Sequence, residues 1–135
     1  MSRPDYYGNP GGVTSDIEVV RAIYAAFEAR DPAAANRFLS EDCELHLTGT
    51  ASAIGREGPY LGHAGMREYF ADVARVWPDL TLHATDFRAI PGAVVVMGHV
   101  EATLEGEPFR RNAVWTWKVE NGKATHVRVA GTGPA

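Results

Sequence analysis

The chain has 135 residues, of which 45% are apolar, enough for the core of one domain and too short for two. Its 13 basic residues are scattered and outweighed, leaving a net charge of −4 and no basic face to neutralise nucleic-acid phosphates. No run approaches the roughly 18 uninterrupted apolar residues that span a bilayer. The opening 1–12 is polar and Gly/Pro-rich rather than a secretion signal, so a cytoplasmic protein with no membrane partner is expected.

Residues 1–14, rich in Pro and Gly, are expected to be a loose arm ahead of a single folded unit over 15–135. Ser15-Asp16-Ile17-Glu18 is a capping box, and behind it Ile17, Val20, Tyr24 and Phe27 recur at helical spacing as far as Arg30. Asp31-Pro32 supplies a second cap and a first-turn proline, with Ala35, Phe38 and Leu39 on the buried side of a short second helix. A first strand is expected over Cys43–Thr48 and a loop over Gly49–Gly62. A third helix carries Met66, Tyr69, Phe70, Val73 and Trp77 on one face, and Pro78 stops it. Downstream the period drops to two. Leu80–Ile90, Ala93–Leu104, Phe109–Val119 and Lys123–Ala130 read as strands, joined by turns at Pro91-Gly92, Glu105-Gly106-Glu107-Pro108 and Asn121-Gly122. Helices first and a meander afterwards predict an α+β layer, with three helices covering one face of a strongly bent antiparallel sheet. Gly98, in the middle of a long strand, suits a bulge or bend.

The single cysteine, Cys43, sits in an alternating apolar run and reads as a buried strand residue. His99 and Glu101 are two apart on one strand, so both leave the same face beside Val95, Met97 and Thr103. Lining a chamber, they would form an acid/base pair with a desolvated carboxyl; packed at an interface or in water, they would be bland. Glu44 and His46 repeat the spacing on the first strand. His63 stands at the entry to the third helix, where it either overhangs a pocket or caps the helix, and His83 and His126 read as surface residues. Five histidines without His-x-x-x-His or paired-cysteine spacing predict no metal site, since only distant strands converging would assemble one. Arg111 and Arg128 are strand arginines suited to solvent or to an anionic substituent.

Tyr24-Ala25-Ala26-Phe27 with Asp31, the stretch Tyr60-Leu61-Gly62-His63-Ala64-Gly65-Met66-Arg67-Glu68-Tyr69-Phe70, the paired aromatics of Val114-Trp115-Thr116-Trp117, and Asn121-Gly122-Lys123 together resemble a SnoaL-like domain of the nuclear transport factor two-like superfamily. The resemblance covers Ser15 to Ala130, and its most specific part is Gly-x-x-Gly-x-x-x-Tyr-Phe. It implies a cone-shaped sheet closed by helices, a pocket for a small hydrophobic organic molecule, no cofactor, and a homodimer paired through the outer sheet face. Across the fold it implies polyketide cyclases, ketosteroid isomerase, epoxide hydrolases and non-catalytic binders alike. The catalytic positions of ketosteroid isomerase fall at Ile23, Leu47 and Trp115 and none matches. The Arg-x-Asp pair of limonene epoxide hydrolase falls at His99-Val100-Glu101, and the last strand supplies no second carboxylate. The resulting expectation is an acid/base cyclase or isomerase acting on a polyketide-like carbonyl compound, with Glu101 as proton acceptor, His99 as partner and His46 as a further candidate. Tyr24, Tyr60, His63, Met66, Phe70, Trp115, Trp117 and Arg128 are the expected substrate contacts. A non-catalytic ligand-binding or dimerising module is the rival reading, and an epoxide-hydrolase-like enzyme a further one.

Overall fold

Helix α1 (Asp16–Ala29) begins where the capping box places it: the Ser15 hydroxyl accepts the Glu18 amide at 3.2 Å. The computed structural model describes residues 15–134, so the expected arm lies outside the described residues. α1 buries Val20, Ile23, Tyr24 and Phe27 on one face and ends at Arg30, whose left-handed backbone turns the chain. The Arg30 guanidinium then donates to the Leu80 carbonyl at 2.7 Å, tying this helix end to the start of the sheet's long strands. Asp31 caps the five-residue α2 (Pro32–Asn36) through the Ala34 amide at 3.1 Å.

β1 (Leu39–His46) starts earlier than the alternation suggested. Leu39, expected on the helix, opens the strand and is fully buried there, alongside Cys43 and Leu45. The segment expected to be all loop contains a one-turn helix, α3 (Thr48–Ala53), and a two-residue strand, β2 (Tyr60–Leu61), which pairs with β1. α4 (Gly62–Val76) follows at once. The Gly-x-x-Gly entry has a steric cause here, because a side chain at Gly65 would meet the Tyr60 backbone at 2.8 Å, so glycine lets the helix lie against the strand that precedes it.

The remaining chain is the expected meander: β3 (Thr81–Ile90), β4 (Ala93–Leu104), β5 (Glu107–Glu120) and β6 (Lys123–Pro134), all antiparallel neighbours. Asn121 and Gly122 both take positive φ, as the tight β5–β6 turn needs. β1 lies parallel to β6, giving a six-stranded sheet in the order β2-β1-β6-β5-β4-β3, with β3 at one edge.

The side chains of β4 and β5 sort by parity. Val94, Val96 and Ala102 of β4, with Ala113, Trp115, Trp117 and Val119 of β5, are buried on the inner face beneath α1 and α4. At the centre of that core Tyr24 packs edge-on against Phe27, Phe87, Trp115 and Trp117, and its hydroxyl accepts the Trp117 indole N–H at 3.2 Å. The indole is thus buried without an orphaned donor.

The bulge expected at Gly98 sits opposite it: Thr85 of β3 is the extra residue, and Gly98 pairs with Ala84 just beside it. A Cβ at Gly98 would collide with the His83 carbonyl oxygen. Because that obstacle is backbone, Gly98→Ala is expected to destabilise the protein by about 1–3 kcal/mol, the range of overpacking. Reversible urea unfolding measures this, and an unchanged midpoint would refute the close approach of β3 to β4.

Candidate functional site

Between the inner face of the sheet, α3 and the end of α4 lies a cavity of about 420 Å³. Its apolar walls are Leu47, Leu80, Leu82, Val100, Ala113, Trp115 and Val129. Trp77 and Phe109 also line it, stacked with centroids 6.1 Å apart. Parity explains these walls: Val100, Ala113 and Trp115 occupy inward positions of β4 and β5.

Polar groups reach the chamber at few points. Thr50 enters from α3 and Tyr69 from α4. Burial pushes the Tyr69 hydroxyl up to about 12, so at neutral pH it keeps its proton and acts as a donor. Arg111 and Asn112 line the chamber where β5 is irregular against β6. The Arg111 guanidinium lies 5.7 Å from the Phe109 ring centroid and, among the described residues, supplies the one cationic side chain of the lining. No carboxylate or imidazole of the described residues lines the chamber.

A larger, more open cleft of about 870 Å³ adjoins it, sharing Tyr69, Leu80 and Leu82. It runs between α1, α4 and β3, with Tyr24, Phe27 and Phe70 as its aromatic floor. Charged residues line this cleft, including Arg21, Glu28 and Arg30. Asp79 there accepts the Thr103 amide at 3.1 Å, and hydrogen bonds from Thr103 hold its carboxyl below the usual range.

Of the expected substrate contacts, Tyr24 and Phe70 line the cleft and Trp115 lines the inner chamber. The others are placed differently. Tyr60, Met66 and Trp117 are fully buried core and line neither cavity. Tyr60 donates its hydroxyl to Asp72 at 2.8 Å, and burial with that acceptor pushes its pKa up. His63 serves structure, its Nε2 lying 2.9 Å from the Leu39 carbonyl. Arg128 is exposed and pairs across the ladder with Thr116, one residue from the inward Trp115 and Trp117, so it points outward.

The acid/base candidates also lie on the outer face. His99 and Glu101 have the opposite parity to buried Val94, Val96 and Ala102, and neither lines either cavity. Desolvation, with Arg110 and His83 nearby, lowers the His99 pKa and favours its neutral form. His46 is outward on β1, 3.3 Å from Glu44. The expectation that these residues face the chamber is therefore corrected: the apolar residues between them claim the interior. Tyr69 is legible in the sequence as one of the aromatics that could enclose a ligand, whereas Thr50 and Asn112 carry no periodic signal because they come from a loop-like segment and a strand irregularity.

The family model of the SnoaL-like domain matches residues 20–127. No curated protein matches the sequence. Among solved structures, TerC co-crystallised with polyporic acid is similar at 31% identity and a TM-score of 0.76, covering 85% of this chain and 89% of that one. An NTF2-like protein from Burkholderia pseudomallei is similar at 24% identity and a TM-score of 0.76, covering 84% and 88%. A putative polyketide cyclase from Sinorhizobium meliloti shares the fold at 11% identity and a TM-score of 0.68, covering 84% and 94%. The bent sheet, its helical cover and the match over most of the chain agree: this protein belongs to the SnoaL-like family of the nuclear transport factor two-like superfamily.

Proposed function

We propose that the inner chamber takes a hydrophobic organic molecule carrying a carbonyl or acidic oxygen. Its apolar body would sit among Trp115, Val100, Leu82 and Phe109, with its oxygen toward Arg111 and Tyr69. The observation that carries this reading is the chamber itself, about 420 Å³ of mostly apolar surface with a few convergent donors. That combination is the usual makeup of a small-molecule site. TerC, co-crystallised with polyporic acid, supports an organic acid as the ligand class.

Within the chamber the chemistry falls to donors rather than to a base. Tyr69 keeps its proton, and Arg111 is cationic, so both suit an oxygen that carries or develops negative charge. A cyclase or isomerase of this kind would work by holding a flexible carbonyl compound in a reactive shape and polarising its carbonyl oxygen through these donors. With no carboxylate or imidazole lining the chamber among the described residues, proton abstraction by Glu101, His99 or His46 has no geometric support, and neither has a water-activating carboxylate pair of the epoxide-hydrolase type. That same observation favours the second reading, a binding module that holds its ligand without turnover. Pairing through the outer sheet face belongs to either reading and is supported by the half-buried Val95, Met97 and Val114 there.

Titration with polyporic acid tests the chamber. Val100→Trp, which fills it, and Arg111→Ala, at an exposed position expected to fold normally, should each weaken the dissociation constant at least about tenfold, or about 1.4 kcal/mol. Failure of the wild type to bind, or binding that neither variant weakens, would sink the assignment. Tyr69→Phe removes a single neutral donor and is expected to weaken binding about threefold to tenfold, the effect of one hydrogen bond. Equal affinity in that variant would show that the Tyr69 hydroxyl does not meet the ligand.

A further inference from the structure

The outer face of the sheet carries a cluster for which the chamber has no use. His83 on β3 stands directly across the ladder from His99 on β4, and their rings stack with centroids 4.4 Å apart and planes 19° from parallel. Glu101, two residues along β4 on the same face, reaches both rings. His83 Nε2 lies 2.9 Å from one carboxylate oxygen and His99 Nε2 3.7 Å from the other. The two imidazoles and the carboxylate each offer one ligand atom, all within 4.8 Å of one another.

We propose that His83, His99 and Glu101 form a site for a first-row divalent transition cation, Zn²⁺ in the first instance, on the outer face of the sheet. Two imidazoles and a carboxylate are a donor set that zinc accepts, at about 2.0–2.2 Å from each atom. Tetrahedral angles at those lengths separate the donors by roughly 3.4 Å, so the ligand atoms, now within 4.8 Å of one another, would be drawn together by side-chain rotation on two paired strands. The Arg110 guanidinium, 3.7 Å from Glu101, borders the carboxylate from β5.

Three protein ligands leave one tetrahedral position for water, as in zinc sites that are not purely structural. In the single chain the His83, Glu101 and His99 side chains are 40%, 45% and 16% exposed, so an ion can reach them from solvent before the outer faces of two copies pair. Glu44 with His46 and His126, on the same face, is a looser group at 3.3 and 3.8 Å. Among the described residues only His83, His99 and Glu101 converge three donors this closely. The spacing carries no motif because the ligands come from two strands, and the ladder register brings them together.

Calorimetric titration of the tag-free, chelator-stripped chain with ZnCl₂ tests this. The wild type is expected to take up one saturable equivalent, with at least about tenfold weaker binding in His83→Ala and in Glu101→Gln. His126→Ala should bind like the wild type. Far-UV circular dichroism checks that each variant is folded, and His83 lies half-exposed on the edge strand, where alanine is tolerable. With Co²⁺ as a second probe, the wild type should show the strong visible bands of a four-coordinate ion. Binding by the wild type no tighter than by His83→Ala, a loss in His126→Ala equal to that in His83→Ala, or only the weak bands of hydrated Co²⁺ would each overturn the site.

Discussion

The two-residue alternation of β4 and β5 is the constraint on which the rest of this molecule depends. Burying Val94, Val96, Trp115 and Trp117 under the helices removes several large apolar side chains from water, each worth about 1.5–3 kcal/mol. A slip of one residue would exchange that face for Met97, His99, Glu101 and Thr116, and would desolvate a carboxylate and an imidazole in place of valines and tryptophans. The register is thus fixed with a margin far larger than any single polar contact supplies. The same margin decides that the chamber inherits the walls of an apolar core, while the charged residues of β4 are sent to the other side.

Much of this architecture is legible in the chain. The capping box, the Asp31-Pro32 restart, Pro78 and the Asn121-Gly122 turn are local signals, and each acts through atoms within a few residues of itself. The period of two in β3 to β6 is equally local. What parity does not reveal is which of the two faces turns inward when both carry apolar residues. On β4 the outward Val95 and Met97 match the inward Val94 and Val96 in hydrophobicity, so His99 and Glu101 are compatible with either side until the flanking helices are placed. On β5 the balance is clearer, since Trp115, Trp117 and Val119 outweigh Thr116, Lys118 and Glu120. Because β5 pairs with β4 residue by residue, Trp115 beside Val96 would have settled the β4 face had the register been available.

The misplaced boundaries have a similar origin. Leu39 reads as the end of a helical stripe, but its burial is satisfied in β1 beside Ala124 of the distant β6. The Phe38 carbonyl there accepts the Ala124 amide at 2.8 Å, a long-range bond that local propensity does not encode. Tyr60 shows the reverse case. Its aromatic ring suggests a pocket wall, whereas the Gly65 approach and the bond to Asp72 lock it into the join between β2 and α4.

Keeping carboxylates and imidazoles out of the described lining of the inner chamber also limits what that chamber can do. A carboxylate in the chamber would bear the desolvation penalty of a partly closed apolar site and would need a partner to offset it. The chain places instead groups that stay in one protonation state near neutrality: a phenol raised by burial, a threonine, an amide and a guanidinium at the rim. Such a lining cannot titrate near neutral pH, so its influence on a bound molecule is set by geometry and fixed charge. The outer face is built the opposite way, with imidazoles beside carboxylates, where proton or metal occupancy changes the local charge. The two faces share one backbone ladder, and Gly98, which lets β3 and β4 close up beside His83, lies one residue from outward His99 and two from inward Val100. Displacing that contact would move the chamber wall and the His83–His99 pair together.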